Sequence, residues 1–168
     1  MKRLMAIHTP QALKARLTSG QRLLGLDLGE KTIGVAISDP GLTVASPIDT
    51  IRRVKFTEDV KQLARMIQGR EVGGIIVGLP INMDGTQGPR CQSVRHFAEN
   101  LAGRADLLGW DPEIAFWDER LSTAVVQRFL TDEVDMRRNK RAQAVDKMAA
   151  AYILQGALDA LAKPSDMA

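Results

Sequence analysis

Between Leu23 and Ser38 the chain reads LLGLDLGEKTIGVAIS, two apolar runs separated by Gly29, Glu30 and Lys31, which predicts an antiparallel β-hairpin. Period-two alternation divides its residues between two faces. Leu24, Leu26, Leu28, Ile33, Val35 and Ile37 make a bulky aliphatic face, whereas Gly25, Asp27, Gly29, Thr32, Gly34, Ala36 and Ser38 make one that is small throughout. A face so poor in side-chain volume either receives another element at close range or keeps space for a ligand around Asp27.

A third extended segment is expected between Leu42 and Arg52, at a sheet edge because Pro47 lacks the N–H that a central strand needs. Thr57 is placed to cap a helix with Val60, Leu63, Ala64 and Ile67 on one face, ending near Gly69. Val72 to Leu79 (VGGIIVGL) is a continuous apolar run of the kind found in a strand covered on both sides. After the loop PINMDGTQG comes a helix with Val94, Phe97, Ala98 and Leu101 inward, then a second buried strand, Glu113 to Trp117, closing on Asp118, Glu119 and Arg120. Ser122 or Thr123 caps a helix to about Leu130, and a last helix runs from about Lys140 to Leu161. Its packed stripe is read as Ala142, Val145, Ala149, Tyr152, Ile153 and Gly156. Upstream, Thr9-Pro10 reads as an N-cap and first-turn proline, with Leu13 and Leu17 four apart and Gly20 ending a short helix. Hairpin-linked strands followed by alternating strand and helix describe a mixed sheet with helices on its faces, the α/β class. No repeat or linker divides the chain, so residues 1–21 are an extension with a short helix, 22–162 the domain and 163–168 a tail.

Composition narrows the chemistry. At 168 residues and 18.4 kDa the chain can bury a core without disulfides or a structural metal. Its 45% hydrophobic content with 4% aromatics makes that core aliphatic and argues against disorder. The absence of any apolar run near the ~20 residues of a membrane helix, or of a signal segment, points to the cytoplasm and to no membrane partner. Cys91 is the lone cysteine, and His8 and His96 are too far apart for a local zinc motif, so a metal here would be held by carboxylates. The net charge of +3 is uneven: residues 1–22 hold five basic residues and no acid, leaving eighteen basic against twenty acidic in the remainder. In that remainder, positive charge clumps at Arg137, Arg138, Lys140 and Arg141 and again at Arg52, Arg53 and Lys55. Such clusters favour phosphate backbones through counterion release, and equally suit a solvated loop and helix start.

Carboxylates stand in three unexpected places. Asp27 interrupts a run of leucines, Asp118 and Glu119 close a buried strand, and Asp146 adjoins the apolar stripe of the last helix. Each has an ordinary reading: Asp27 bonding a hairpin amide, Asp118 capping a turn, Glu119 pairing with Arg120, Asp146 pairing within its helix. Burying several carboxylates without counter-charge costs several kcal/mol each, and a divalent cation offsets that cost. Hard oxygen donors without histidine or thiol suit Mg²⁺ or Mn²⁺. Two such ions roughly 3.5–4 Å apart can hydrolyse a phosphodiester by in-line displacement. Lys31, Arg120, Lys147 and the cluster Arg137, Arg138, Lys140 and Arg141 are then candidate phosphate contacts. With few aromatics, recognition would rest on backbone shape rather than base stacking.

LLGLDLGEKTIGVAISD, GIIVGLPINMDGTQG, WDERLST and AVDKMAAAYILQ, in order from about Arg22 to Leu161, together resemble the YqgF (RuvX) family, relatives of the RuvC Holliday junction resolvases. The resemblance implies a ribonuclease H-like mixed five-stranded sheet flanked by helices, a cytoplasmic location, and a nuclease maturing the 5′ end of precursor 16S ribosomal RNA. It also implies that Asp27 is the first-strand catalytic acid, the Asp118-Glu119 pair supplies the strand-end acid, and Asp146 is the acid of the C-terminal helix. Adjacent strand residues point to opposite faces, so Asp118 and Glu119 cannot serve a metal equally; Asp118 is favoured because Arg120 follows Glu119 as its partner. The GLPINMDGTQG loop is a candidate substrate loop or a plain connection.

The leading expectation is a metal-dependent nuclease on precursor rRNA, with a homodimer among its expected states. Branched DNA as substrate is a second reading, and a non-catalytic RNA-binding ribosome-assembly factor a third. DLGEKTIGVAIS also resembles the phosphate hairpin of the actin, Hsp70 and sugar-kinase ATPases, but those close two such domains over a nucleotide and this chain supplies one.

Overall fold

The bulky and small faces read from the hairpin determine how the sheet is covered. A computed structural model describes residues 7–121 and 138–163, with the side chains of 121 and 138–147 outside the description. Its strands are β1 (Ile7–His8), β2 (Arg22–Leu28), β3 (Thr32–Ser38), β4 (Ala45–Arg52), β5 (Val72–Leu79) and β6 (Ile114–Asp118). The helices among the described residues are α1 (Pro10–Arg16), α2 (Phe56–Ile67), α3 (Pro89–Ala102), the short α4 (Ala105–Leu108) and α5 (Arg138–Ala162). A 3₁₀ turn, Glu119–Leu121, follows β6.

The strands form one sheet in the order β1-β6-β5-β2-β3-β4. The two hairpin-linked pairs are antiparallel, while β2/β5, β5/β6 and β1/β6 are parallel. Five of these strands match the expected sheet. The sixth, β1, comes from the extension and is only two residues long, too short to show a period. His8 pairs with the Glu113 carboxylate, and Arg16 Nη1 lies 3.7 Å from Glu113 Oε1, so these polar contacts tie the extension to the start of β6. Leu13 of α1 is fully buried. The Thr9 cap forms as expected, its Oγ1 accepting the Ala12 amide at 3.2 Å with Pro10 in the first turn.

β4 is an edge strand, as Pro47 requires, and its pairing with β3 shifts register at Val35/Ala36, beside that proline. Helix α2 begins one residue before Thr57, with Lys55 at the cap position and no side-chain cap. The entry is fixed instead by Asp59, whose Oδ1 accepts the Val54 amide at 3.0 Å.

Every member of the bulky hairpin face is buried in one core, with Val60, Leu63 and Ile67 of α2 and Val94, Phe97, Ala98 and Leu101 of α3. The small face is covered by α5. A Cβ on Gly25 would lie 2.8 Å from Leu154 Cβ and 3.1 Å from the Ala150 carbonyl oxygen, so helix and strand approach more closely than any side chain on Gly25 would allow. The second core holds Leu13, Leu23, Ala36, Ile76, Ala115 and the stripe Ala150, Ile153, Leu154, Ala157, Leu158 and Leu161. This stripe corrects the expected one in part: Ile153 is buried, Ala149, Tyr152 and Gly156 are only half-buried, and the side chains of Ala142 and Val145 lie outside the described residues. Small or apolar residues surround most of this helix, so hydrophobicity did not single out a face; fit against Gly25 and Ala36 did.

Candidate active site

The small face leaves Asp27 on the α5 side of the sheet. In β2, Leu24, Leu26 and Leu28 enter the core under α2 and α3, so Gly25 and Asp27 face the other way. Asp27 pairs with Gly34 of β3. On its other side, the β2/β5 register runs through Gly25↔Ile76 to Leu26↔Val77, the pair immediately before Asp27 and Gly78 in their strands. Helix α5 runs against the direction of β2, from Ala150 over Gly25 to Leu161 near α1, where Lys14 Nζ donates to the Leu161 carbonyl at 3.2 Å. Position 146 is one turn before Ala150 in that helix, toward the Asp27 end of the strand. The side chain of Asp146 itself lies outside the described residues.

The chain end of β6 separates the two neighbouring acids. Leu79 pairs with Asp118, and Phe116 packs into the core under α3, so alternation sends Asp118 to the face opposite Asp27. There it is held by Arg120: Nη2 donates to Oδ2 at 2.7 Å, Nε lies 3.1 and 3.0 Å from the two oxygens, and the Arg120 amide donates to Oδ1 at 3.0 Å. These bonds, the guanidinium first, hold the Asp118 carboxyl below its usual range and raise the Arg120 pKa in return. The amide bond also closes the 3₁₀ turn. Through that turn Glu119 comes back over β5, where a Cβ on Gly78 would lie 2.8 Å from Glu119 Oε1 and 2.6 Å from Ile153 Cδ1. Asp27 and Glu119 thus share the α5 side of the sheet, Glu119 over Gly78, while Asp118 lies on the other face. The pairing expected from adjacency is corrected as well: Arg120 forms its ion pair with Asp118, two residues back.

The donor set fits a hard divalent cation, since Asp27 and Glu119 are oxygen donors on one side of the sheet and a side chain at Gly78 would displace Glu119. Among the described residues no group of three or more His, Cys, Asp and Glu is gathered for a metal, and the expected third acid, Asp146, falls outside them.

The loop after β5 is a built connection. The Asn82 amide donates to the Thr86 carbonyl, Gly85 donates to Asn82 and adopts a positive φ of 89°, and Thr86 bonds Asp84 through both its amide and hydroxyl. Those bonds lower the Asp84 pKa. Arg120 Nη1 lies 3.5 Å from the Asn82 carbonyl, tying the loop to the acid turn. Of the expected phosphate contacts, Lys31 is exposed in the hairpin turn and Arg120 is engaged by Asp118. Arg137 and the side chains of Arg138, Lys140, Arg141 and Lys147 lie outside the described residues. Sequence reasoning missed Gly78 as the residue under Glu119; the signal was a glycine near the end of a buried strand, after the bulky run Ile75 to Val77.

Comparison with known proteins bears on what this arrangement belongs to. A relative from Rhodospirillum centenum, named "Putative pre-16S rRNA nuclease", is 62% identical over 157 residues, covering 94% of this chain and 83% of that one. One of the same name from Paramagnetospirillum magneticum is 57% identical, covering 92% and 96%. Among solved structures, the Fowlpox virus resolvase in complex with substrate Holliday junction DNA gives a TM-score of 0.51 at 12% identity, covering 85% of this chain and 100% of that one. T. thermophilus RuvC in complex with a Holliday junction substrate also gives 0.51, at 13% identity, covering 86% and 99%. At such identities these two speak for the fold alone, which is that of the resolvases. The family model described as RuvX, Holliday junction resolvase, matches residues 21–160, and the chain belongs to that family.

Proposed function

We propose that this protein is a metal-dependent nuclease that hydrolyses phosphodiester bonds in processing the 5′ end of precursor 16S rRNA. The name its relatives carry, "Putative pre-16S rRNA nuclease", supports the substrate and the nuclease class. The observation that carries the chemistry is that Glu119 reaches back over Gly78 to the side of the sheet on which Asp27 stands. In this reading Asp27, Glu119 and Asp146 hold one or two ions of the Mg²⁺ or Mn²⁺ class. When bound, such ions polarise the phosphoryl oxygens and generate the nucleophile from water.

The protein's own residues do the positioning. Asp118 is assigned as the brace of the turn rather than as a ligand, because its charge is already matched by a bidentate arginine. Gly78 leaves Glu119 room to reach the site, and Leu154 over Gly25 closes the sheet beneath it against water. The basic residues of α5 are assigned to the flanking phosphates, with nucleic acid the partner of this face.

Purified protein with Mn²⁺ should trim a 5′-extended precursor rRNA fragment, and Asp27→Asn should abolish trimming while its circular dichroism spectrum matches the parent. A parent protein that leaves the precursor intact overturns the assignment. A mutant that cuts as well as the parent removes Asp27 from the site.

A further inference from the structure

A cleft of about 210 Å³ opens at the same end of the sheet, on the side of α3 rather than α5. It is lined by Leu28, Gly29 and Glu30 of the hairpin, by Arg53, and by Arg90 and Ser93 of the first turns of α3. Its volume is below the roughly 300–1,000 Å³ of pockets that enclose a whole small molecule. It suits one group of a larger ligand.

The polar lining has a definite chemistry. Arg53 and Arg90 come from separate elements, and Glu30 is the one acid among the lining residues. The Arg53 guanidinium is fixed on the protein side: Nη1 donates to the Gly29 carbonyl at 2.6 Å, and the group stacks on Phe97 at 5.6 Å from the ring centroid. The Arg53 amide also donates to the Lys31 carbonyl at 2.8 Å. A guanidinium has five N–H donors in a planar fork, so one fixed by a single bond and a ring face keeps donors for a ligand with little ordering cost. Arg90 and Ser93 are exposed and add a second fork and a hydroxyl. Arg53 belongs to a basic cluster with Arg52 and Lys55 that the acid-centred site does not use.

Position supplies the remaining argument. Leu28 and Gly29 line the cleft and directly follow Asp27 in the chain, so the two sites lie on opposite faces of one strand end. A strand crossing the carboxyl rim of the sheet with one phosphate at Asp27 would carry a neighbouring phosphate toward the cleft. We propose that this cleft is a subsite for a backbone phosphate of the nucleic acid substrate, held by Arg53, Arg90 and Ser93 next to the phosphodiester that is cut. The inference rests on the nuclease reading above.

The test uses the full chain carrying Asp27→Asn, so that binding is read without cleavage, and a fluorescent precursor rRNA fragment titrated at several salt concentrations. Arg90→Ala should weaken binding several-fold and reduce the slope of log affinity against log salt by roughly 0.7–0.9, the contribution of one phosphate contact. Glu30→Gln, also exposed, should tighten binding. Both variants should melt with the parent, and in the Asp27 background of the natural sequence Arg90→Ala should raise KM for cleavage. Arg90→Ala and Glu30→Gln proteins that both bind RNA as the parent does overturn the subsite while leaving the nuclease standing; a parent that neither binds nor cuts RNA overturns both. Calorimetry with inorganic phosphate separates the other source of the same chemistry: tight free-phosphate binding, lost in Arg90→Ala with RNA affinity unchanged, overturns the strand-phosphate assignment.

Discussion

Replacing Gly25 by alanine is a sharp probe of how the site is walled. The new Cβ would stand 2.8 Å from Leu154 Cβ and 3.1 Å from the Ala150 carbonyl oxygen. Carbon atoms in good contact are about 3.5–4.0 Å apart, so the helix must withdraw by several tenths of an ångström or more. Neither obstructing atom can rotate away, since one is a Cβ and the other belongs to the backbone of α5. Overpacking of this kind costs about 1–3 kcal/mol, and the rigid neighbours place this case at the upper end. Alanine restricts the unfolded chain and offsets about 0.4–1 kcal/mol of that. The net loss is about 2 kcal/mol, which for a domain of this size lowers Tm by about 4–8 °C. Thermal melts by circular dichroism, checked by urea titration at constant m-value, read the effect directly. A Gly25→Ala protein that melts within a degree of the parent would show that α5 does not lie against β2 as described, and with it would go the placement of position 146 near Asp27.

Gly78→Ala should behave differently, because its new Cβ meets the mobile ends of Ile153 and Glu119 rather than fixed atoms. Its melting point should fall less than that of Gly25→Ala, while cleavage drops by about 100-fold or more as Glu119 is pushed aside; full activity would remove Glu119 from the site. Asp118 has a folded pKa below its unfolded one, so its pairing with Arg120 stabilises the fold above the unfolded carboxylate value near 3.9 and loses that effect as pH falls through the folded pKa. Carbon-13 NMR titration should show the Asp118 pKa rising toward the ordinary range in Arg120→Gln, and an unmoved pKa would contradict the pairing. Leu13→Ala, in the extension but fully buried, should destabilise the whole domain by about 2–5 kcal/mol in urea unfolding, and a loss under 1 kcal/mol would mean that the extension folds apart from it.

Much of this fold is legible in the chain because alternation is a local signal. The six bulky hairpin residues all reach one core, and the small face proved to be the seat of a helix with Asp27 at its open end. Strand β1 was not legible: two residues carry no period, and their place depends on Glu113, more than a hundred positions away. Ala149, Tyr152 and Gly156 of α5 were misplaced, though Ile153 was not, because alanines on several faces give hydrophobic periodicity little to distinguish, and the close fit to Gly25 sets which face docks. The choice between Asp118 and Glu119 turned on a similar gap. Adjacency in sequence suggested Glu119 as the partner of Arg120, but strand alternation and the turn that follows bring Arg120 back to Asp118. A local rule paired Arg120 with the wrong neighbour, since the geometry of a 3₁₀ turn is not written in residue order.

The division of labour between those two acids is tested most directly by Mn²⁺ titration of the intact protein, followed by electron paramagnetic resonance, in the parent and in Asp27→Asn, Glu119→Gln and Asp118→Asn. Asparagine at 118 keeps an oxygen to accept the Arg120 amide, so the turn is preserved while the charge is removed. The account predicts that Asp27→Asn and Glu119→Gln lose the bound manganese signal and that Asp118→Asn retains it. Retention in Glu119→Gln together with loss in Asp118→Asn would reverse the assignment.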